Sequence, residues 1–344
     1  MKIAVITDQH FGARKNSKLF HDFFLKFYND VFFPTLKKEK ITTIIDMGDT
    51  FDSRKGIDFS TLSWAKNNYY DRLKDYKIYT IVGNHTAYYK NTNNINSIDV
   101  LLREYNNVYV IPEYEELSFD GLNIAMVPWI NQENEESTYS LLAKSKCPIV
   151  MGHLELNNFY ANRIHLMEHG ASREPYKKFK KVFSGHYHHR SNEDNIYYLG
   201  NPYEIYWSDL DDTRGFHIFD TDTCEVTPIN NPHRMFYKLY YEDTPYQTFD
   251  TREYEGKIVK VIVRKKENPK QFEKFVDKLL DAGVADLKIV ENFAFSESDE
   301  FDVEQSEDTL SILSRYLDES ETDIDKIEVK NIIRNIYQEA CEVV

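Results

Sequence analysis

The sequence predicts a layered α/β domain followed by a small α+β module and a C-terminal helical pair. Three observations lead there. Short β-branched apolar runs alternate with segments of helical periodicity through the first hundred residues, a pattern that implies parallel strands with helices packed over the sheet. Each run ends directly in a short polar segment, and strands of an open α/β sheet carry their binding groups at their carboxyl ends. From about residue 214 the alternation gives way to a different pattern.

The first runs are 2–7, 42–47 and 77–82. Between them, Leu19, Phe20, Phe23, Phe24, Phe27, Val31 and Phe32 recur at three- and four-residue spacings and predict a helix over 19–36. A weaker pattern over 58–75 carries Leu62, Ala65, Tyr69 and Leu73, and a third helix is predicted over 95–104. Runs at 122–128, 148–152, 181–184 and 196–199 extend the sheet system, and 215–220 closes it. Residues 236–241, 258–264 and 285–290 read as strands, and Phe272, Phe275, Val276, Leu279 and Leu280 predict a helix over 270–282. The expected domains are therefore 1–220, a main α/β domain, and 221–293, an accessory capping domain, then an acidic linker at 294–306. The segment 307–344 follows with two amphipathic helices, 307–317 and 325–340. These present Leu310, Leu313 and Leu317, and Ile332, Ile333 and Ile336, as apolar faces for a partner.

Composition narrows the class. Of 344 residues, 41% are hydrophobic and 15% aromatic, enough for a large core. No stretch approaches the roughly 18–20 apolar residues of a membrane span, and the run that starts at Met1 is too short for a signal peptide. Three widely spaced cysteines (Cys147, Cys224 and Cys341) fit a reduced, cytoplasmic setting without a disulfide framework. The net charge of −15 argues against a polyanionic partner only until it is located. Residues 292–344 hold fifteen Asp or Glu against four Lys or Arg, a net of −11, which leaves −4 for the rest. Basic residues follow the polar segments closely: Arg14, Lys15, Arg54, Lys55, Lys90, Arg163, Arg173 and Arg190. On one face they would form a cationic rim able to hold a polyanion. The run Tyr176–Lys181 reads as a solvated face or as a phosphate contact.

The polar segments carry the chemistry. They are Asp8-Gln9-His10, Gly48–Asp52, Gly83-Asn84-His85, Gly152-His153 and Gly185–His188. Their carboxylates, amide and imidazoles are the ligand types that hold two divalent cations side by side, an arrangement suited to in-line displacement at phosphorus. Asp8 and His10 at i and i+2 can converge once a strand has ended. Asp49 can give one oxygen to each cation. Asn84 offers a carbonyl oxygen, and His153, His186 and His188 offer ring nitrogens. Oxygen and nitrogen ligands without thiolate suit Mn²⁺, with Fe²⁺, Zn²⁺ or Mg²⁺ as alternatives. His85 reads either as a proton donor to a leaving oxygen or as a loop histidine with one hydrogen bond. Asp52 reads either as an acceptor for a ligand histidine or as a direct participant. His189, His21, His165, His169, His217 and His233 read as structural.

As a set, D-x-H, G-D-x-x-D, G-N-H, G-H and G-H-x-H over residues 1–220 resemble the calcineurin-like metallophosphoesterase superfamily. Within it the chain looks most like the SbcD-type nuclease subunits of double-strand-break repair complexes, including those of T-even-like phages. Gly200-Asn201-Pro202 is similar to that family's Gly-Ser-Pro turn. The resemblance implies a β-sandwich flanked by helices. It implies one cation on Asp8, His10, Asp49 and His188, a second on Asp49, Asn84, His153 and His186, and a catalytic His85. It further implies Mn²⁺-dependent exonuclease and endonuclease cleavage of DNA under an SbcC-type coiled-coil ATPase subunit. A homodimer through helices 58–75 and 95–104, giving a heterotetramer, belongs to the same expectation. One departure stands out: position 86 is Thr where the superfamily usually has Asp or Glu. The resemblance then requires either another carboxylate to orient His85 or a slower proton transfer. The alternative function is a two-metal phosphoesterase acting on a small-molecule or protein phosphate ester.

Overall fold

The computed structural model describes residues 1–291 except 164 and 267, together with Leu317, Lys326, Val329 and Lys330. The expected linker 294–306 and the partner-facing Leu310, Leu313, Ile332, Ile333 and Ile336 lie outside the described residues; Leu317 is described and helical.

Two six-stranded sheets make up the main domain. In the first, Lys2–Ile6, Thr43–Asp46, Lys77–Ile81 and Val108–Ile111 run parallel in that order. Gly215–Asp220 and then Glu225–Asn230 add antiparallel on the other side of Lys2–Ile6. In the second, Leu122–Val127, Ile149–His153, Lys181–Gly185 and Ile196–Tyr198 run parallel. Glu115–Phe119 and Ser191–Glu193 close its two edges antiparallel.

Alternation along the strands sorts the core into layers. Ile3, Val5, Ile45 and Ile81 of the first sheet share one buried cluster with Ile124, Met126, Ile149, Met151 and Phe183 of the second. The opposite face of the first sheet, Ala4, Ile6, Ile44 and Ile78, lies under Phe20, Phe24, Phe27 and Tyr28. The opposite face of the second, Ala125, Val127, Val150 and Val182, packs with Leu142 and Tyr176. The result is helix, sheet, sheet, helix. Strands buried on both faces read as unbroken apolar runs, which is why these were legible in the sequence. Each fully buried aromatic or aliphatic side chain contributes roughly 1.5–3 kcal/mol relative to exposure.

The helices differ from expectation in detail. The pattern over 19–36 is realised as Lys18–Phe27, a π-helical turn Tyr28–Phe32, and a helix Phe33–Glu39. The pattern over 58–75 becomes a helix Phe59–Asn68 and a 3₁₀ turn Tyr70–Leu73. The helix expected over 95–104 shrinks to Ser97–Leu101, because 92–96 pairs as a strand with Ala87–Tyr89. Asn96 then caps the short helix by accepting the Asp99 N–H at 2.9 Å.

The chain divides into two compact units. Met1–Tyr237 with Thr251–Val259 and Leu279–Leu287 forms the first, and Lys238–Asp250 with Lys260–Lys278 belongs to the second. The strands expected near 236–241, 258–264 and 285–290 occur as Phe236–Tyr240, Ile258–Val263 and Asp286–Glu291, with Ile258–Val263 central. In the second unit, Phe272 and Phe275 of the helix Pro269–Asp281 pack on Tyr241. Phe249 stacks on Phe275 at 4.7 Å between ring centroids. No helix among the described residues is long and apolar enough to cross a membrane.

Candidate metal centre

The five polar segments lie at the carboxyl ends of parallel strands in both sheets. Three groups of donor atoms come together there: Asp8, His10 and His188; Asp49, His153 and His186; and His10, Asp52 and His85. In the first, the Nε2 atoms of His10 and His188 lie 3.1 Å apart. Asp8 Oδ1 lies 3.9 and 4.0 Å from them. In the second, Asn84 Oδ1 is 2.9 Å from His153 Nε2 and 3.0 Å from His186 Nδ1, and Asp49 Oδ2 is 3.1 Å from His153 Nε2. All seven expected ligands are therefore gathered.

The donor chemistry fits divalent cations. Bonds of about 2.1 Å from nitrogen or oxygen to a metal place neighbouring ligand atoms roughly 3–3.5 Å apart, close to these separations. His153 Nδ1 donates to the Met47 carbonyl at 2.8 Å, which leaves Nε2 directed at two oxygens. His186 and His188 are neutral. Burial and the charge of His153 push His186 down to about 3, and burial with the charges of His10 and Arg214 pushes His188 well below the usual histidine range. Their lone pairs are thus available. His153 behaves oppositely: burial alone would lower it, but the charge and hydrogen bond of Asp49 hold it up to about 9. For Asp49, burial works against ionisation, yet the charge of His153 keeps its carboxyl far below the usual range.

The backbone is bent to bring these groups in. Asp8, His10, Asp49 and His186 all have positive φ, at 52°, 45°, 53° and 83°. Non-glycine residues held there cost of order 1–3 kcal/mol each and gather at functional sites. Gly83 has no room for a side chain, since a Cβ would run into Asp49 Oδ1. Thr7 Oγ1 donates to Asp8 Oδ2 at 2.6 Å, and the His186 N–H donates to the same oxygen at 3.0 Å.

His85 sits at the edge of this centre, its ring centroid 4.8 Å from that of His10. Its Nδ1 donates to the Asp52 carbonyl at 2.6 Å, and its N–H donates to Asp49 Oδ1 at 2.8 Å. The Asp52 carboxylate accepts from His10 Nδ1 at 3.0 Å. Thr86 is fully buried. Its hydroxyl accepts the Gly83 N–H at 2.9 Å and lies 3.1 Å from the Gly83 carbonyl, to which it donates.

Among the basic residues, Arg14, Lys15, Lys55 and Lys90 are exposed and Arg54 is half-buried. Arg14 and Lys15 lie in a strained turn, with φ of 57° and 60°. Arg190 differs from them. Its side chain is half-buried and donates to Leu199 O and Asn230 Oδ1, which ties it to the fold.

Three groups escaped the sequence reading. Asp46 is buried beneath the loops, where burial raises its carboxyl to about 7 against hydrogen bonds from Thr50, Gly48 and Gln9. Its only signal was a carboxylate ending an apolar strand. Arg214, 3% exposed, donates to the His188 carbonyl and to Asn201 Oδ1. Trp129 lies beside His186, with ring centroids 5.3 Å apart. Neither carried a local signal.

Known proteins resemble this chain. Residues 1–190 match the model for calcineurin-like phosphoesterases. Over 348 residues the chain is 30% identical to "Exonuclease subunit 1" of Enterobacteria phage T4, covering 99% of this chain and 100% of that protein. Among solved structures, an archaeal phosphodiesterase matches at 14% identity and a TM-score of 0.36, over 67% of this chain and 100% of that one. Nuclease MPE of Pseudomonas putida matches at 15% identity and a TM-score of 0.32, over 66% of this chain and 87% of that one.

Proposed function

The chain belongs to the calcineurin-like phosphoesterase family, and from that premise we propose that it is the DNA nuclease subunit of an SbcCD-type recombination and repair complex. Metal-dependent phosphoester hydrolysis follows from the family; DNA as substrate is the further step. The observation that carries it is the full-length match to a phage exonuclease subunit, joined to a donor set that converges at one edge of the sheets. A small-molecule phosphoesterase has no evident use for the acidic segment and apolar-faced helices predicted beyond residue 293.

In this reading Asp8, His10 and His188 would hold one cation, Asn84, His153 and His186 would hold the other, and Asp49 would contribute to both. Mn²⁺ suits this ligand set best, with Mg²⁺ second. Such a pair of cations supplies Lewis acidity toward the phosphate and a nucleophile at neutral pH. The chain's own residues do the rest. Met47 O and Asp52 Oδ1 fix the rings of His153 and His10. With Nδ1 committed to a carbonyl, His85 keeps Nε2 to pass a proton to the leaving ester oxygen. Arg14, Lys15, Arg54, Lys55 and Lys90 contact the strand's phosphates. The segment 307–344, whose sequence predicts two amphipathic helices, docks on the SbcC-type coiled-coil ATPase, and two copies of the chain pair within a heterotetramer acting in the host cytoplasm.

Manganese-loaded protein assayed on linear duplex DNA and on p-nitrophenyl phosphate esters tests the reading. Preferential DNA cleavage is expected; turnover confined to the small ester would overturn it. Deleting residues 305–344 is expected to abolish partner association while metal-dependent cleavage persists.

A further inference from the structure

A cavity of about 480 Å³ adjoins the metal centre on the side of His153, a volume typical of small-molecule sites. His153 belongs to both. Trp129 and Tyr139 give the cavity aromatic walls, and the indole of Trp129 also borders His186. The described residues of its lining include Glu135 and Glu155 but no Lys or Arg. Without Lys or Arg the lining favours a phosphate poorly, whereas a planar, uncharged group would be suited by the aromatic walls, and its amino groups by the carboxylates.

A lining that combines aromatic faces and carboxylates, next to a centre that handles phosphate, matches the chemistry of one ligand class.

We infer that the cavity receives a nucleobase of the strand whose phosphate occupies the metal centre, with Trp129 and Tyr139 supplying stacking faces. The inference rests on the nuclease reading above and adds to it a subsite that grips the base next to the scissile bond. Stacking on aromatic side chains tolerates any base, so the subsite distinguishes a base from its absence rather than one sequence from another.

The test compares oligonucleotides that carry either a normal nucleotide or a tetrahydrofuran abasic residue next to the cleaved bond. Wild-type protein is expected to show a KM roughly tenfold or more lower for the normal strand. Trp129→Ala and Tyr139→Ala should bring the ratio of the two KM values toward one, while Trp129→Phe, which keeps a ring, should preserve most of it. A second readout needs no turnover. Deoxyadenosine, which has no phosphate, should quench tryptophan fluorescence saturably in the wild type, and less so in Trp129→Phe. A wild-type ratio of one, or a ratio and quench that survive both alanine variants, overturns the inference and leaves the nuclease reading intact. Hydrolysis of p-nitrophenyl phosphate with no cleavage of any oligonucleotide overturns the nuclease reading and the subsite with it.

Discussion

His85 Nδ1 lies 2.6 Å from the main-chain carbonyl of Asp52, so the ring that faces the metal centre is oriented by backbone and not by a neighbouring carboxylate. That accounts for Thr86. The residue after His85 need not steer the imidazole, and its hydroxyl instead holds Gly83 at both N–H and carbonyl.

Replacing His85 by Gln should therefore remove proton transfer without disturbing the ligands. A fall in kcat of roughly 10²–10⁴-fold is expected, with two cations still bound per chain by elemental analysis. Unchanged DNA cleavage would take His85 out of the mechanism.

Thr86→Glu restores the residue type usual in the superfamily, and here it should do harm. Position 86 is fully buried, and a carboxylate cannot donate to the Gly83 carbonyl as the hydroxyl does. Burying a charge without a partner is costly. The variant is expected to melt at lower temperature and to cleave no faster than wild type. A gain in kcat would show that the Asp52 carbonyl does not suffice.

Much of this was legible. The paired burial of Ile3, Val5 and Ile45 on one face and Ala4, Ile6 and Ile44 on the other produces the apolar runs that marked strands, and the ligands follow the strand ends. Other features depend on partners remote in the chain. Glu115–Phe119 pairs with Leu122–Val127 across Asp120-Gly121, both at positive φ, a turn pair that signals a hairpin; only its second strand was predicted. The π-helical turn Tyr28–Phe32 left no mark on the three- and four-residue spacing. His85 and Asp52 meet through a carbonyl, which any residue possesses, so no side-chain pattern announces that contact.

Cation binding should depend on pH through His153. In the metal-free chain burial would lower its pKa, but Asp49 holds it at about 9, above the ordinary 6.5. A raised histidine stabilises the fold fully below 6.5, and that contribution is lost as pH rises through 9. At pH 7 the ring carries a proton that a cation must displace, so affinity should rise toward pH 9, by up to about tenfold per unit from this group, and then level off. Calorimetric titration with Mn²⁺ in two buffers of different ionisation enthalpy should report release of about one proton at pH 7. Heats that do not depend on the buffer would contradict the assignment.

Arg214 offers the sharpest test of how the centre is held together. Its guanidinium donates to the His188 carbonyl and Asn201 Oδ1 through one nitrogen, and to Asp209 and Asp212 through the other, at 3.1 and 2.9 Å. Asp212 also accepts from His189 Nδ1 at 2.7 Å, and the second oxygen of Asp209 accepts the N–H groups of Ile205 and Tyr206. One buried cation thus anchors the backbone that carries His188. Arg214→Met would strand two buried carboxylates, and about 3–5 kcal/mol of stability should be lost. Arg214→Lys keeps the charge but not the fork, so it should fold while His188 is less firmly held. Cation affinity at the Asp8, His10 and His188 group is then expected to drop roughly 10–100-fold, as for other residues that position a metal ligand, while the His153 and His186 group binds as before. Equilibrium dialysis with Mn²⁺ would show one strong and one weakened site; two wild-type affinities would mean that His188 needs no such anchor.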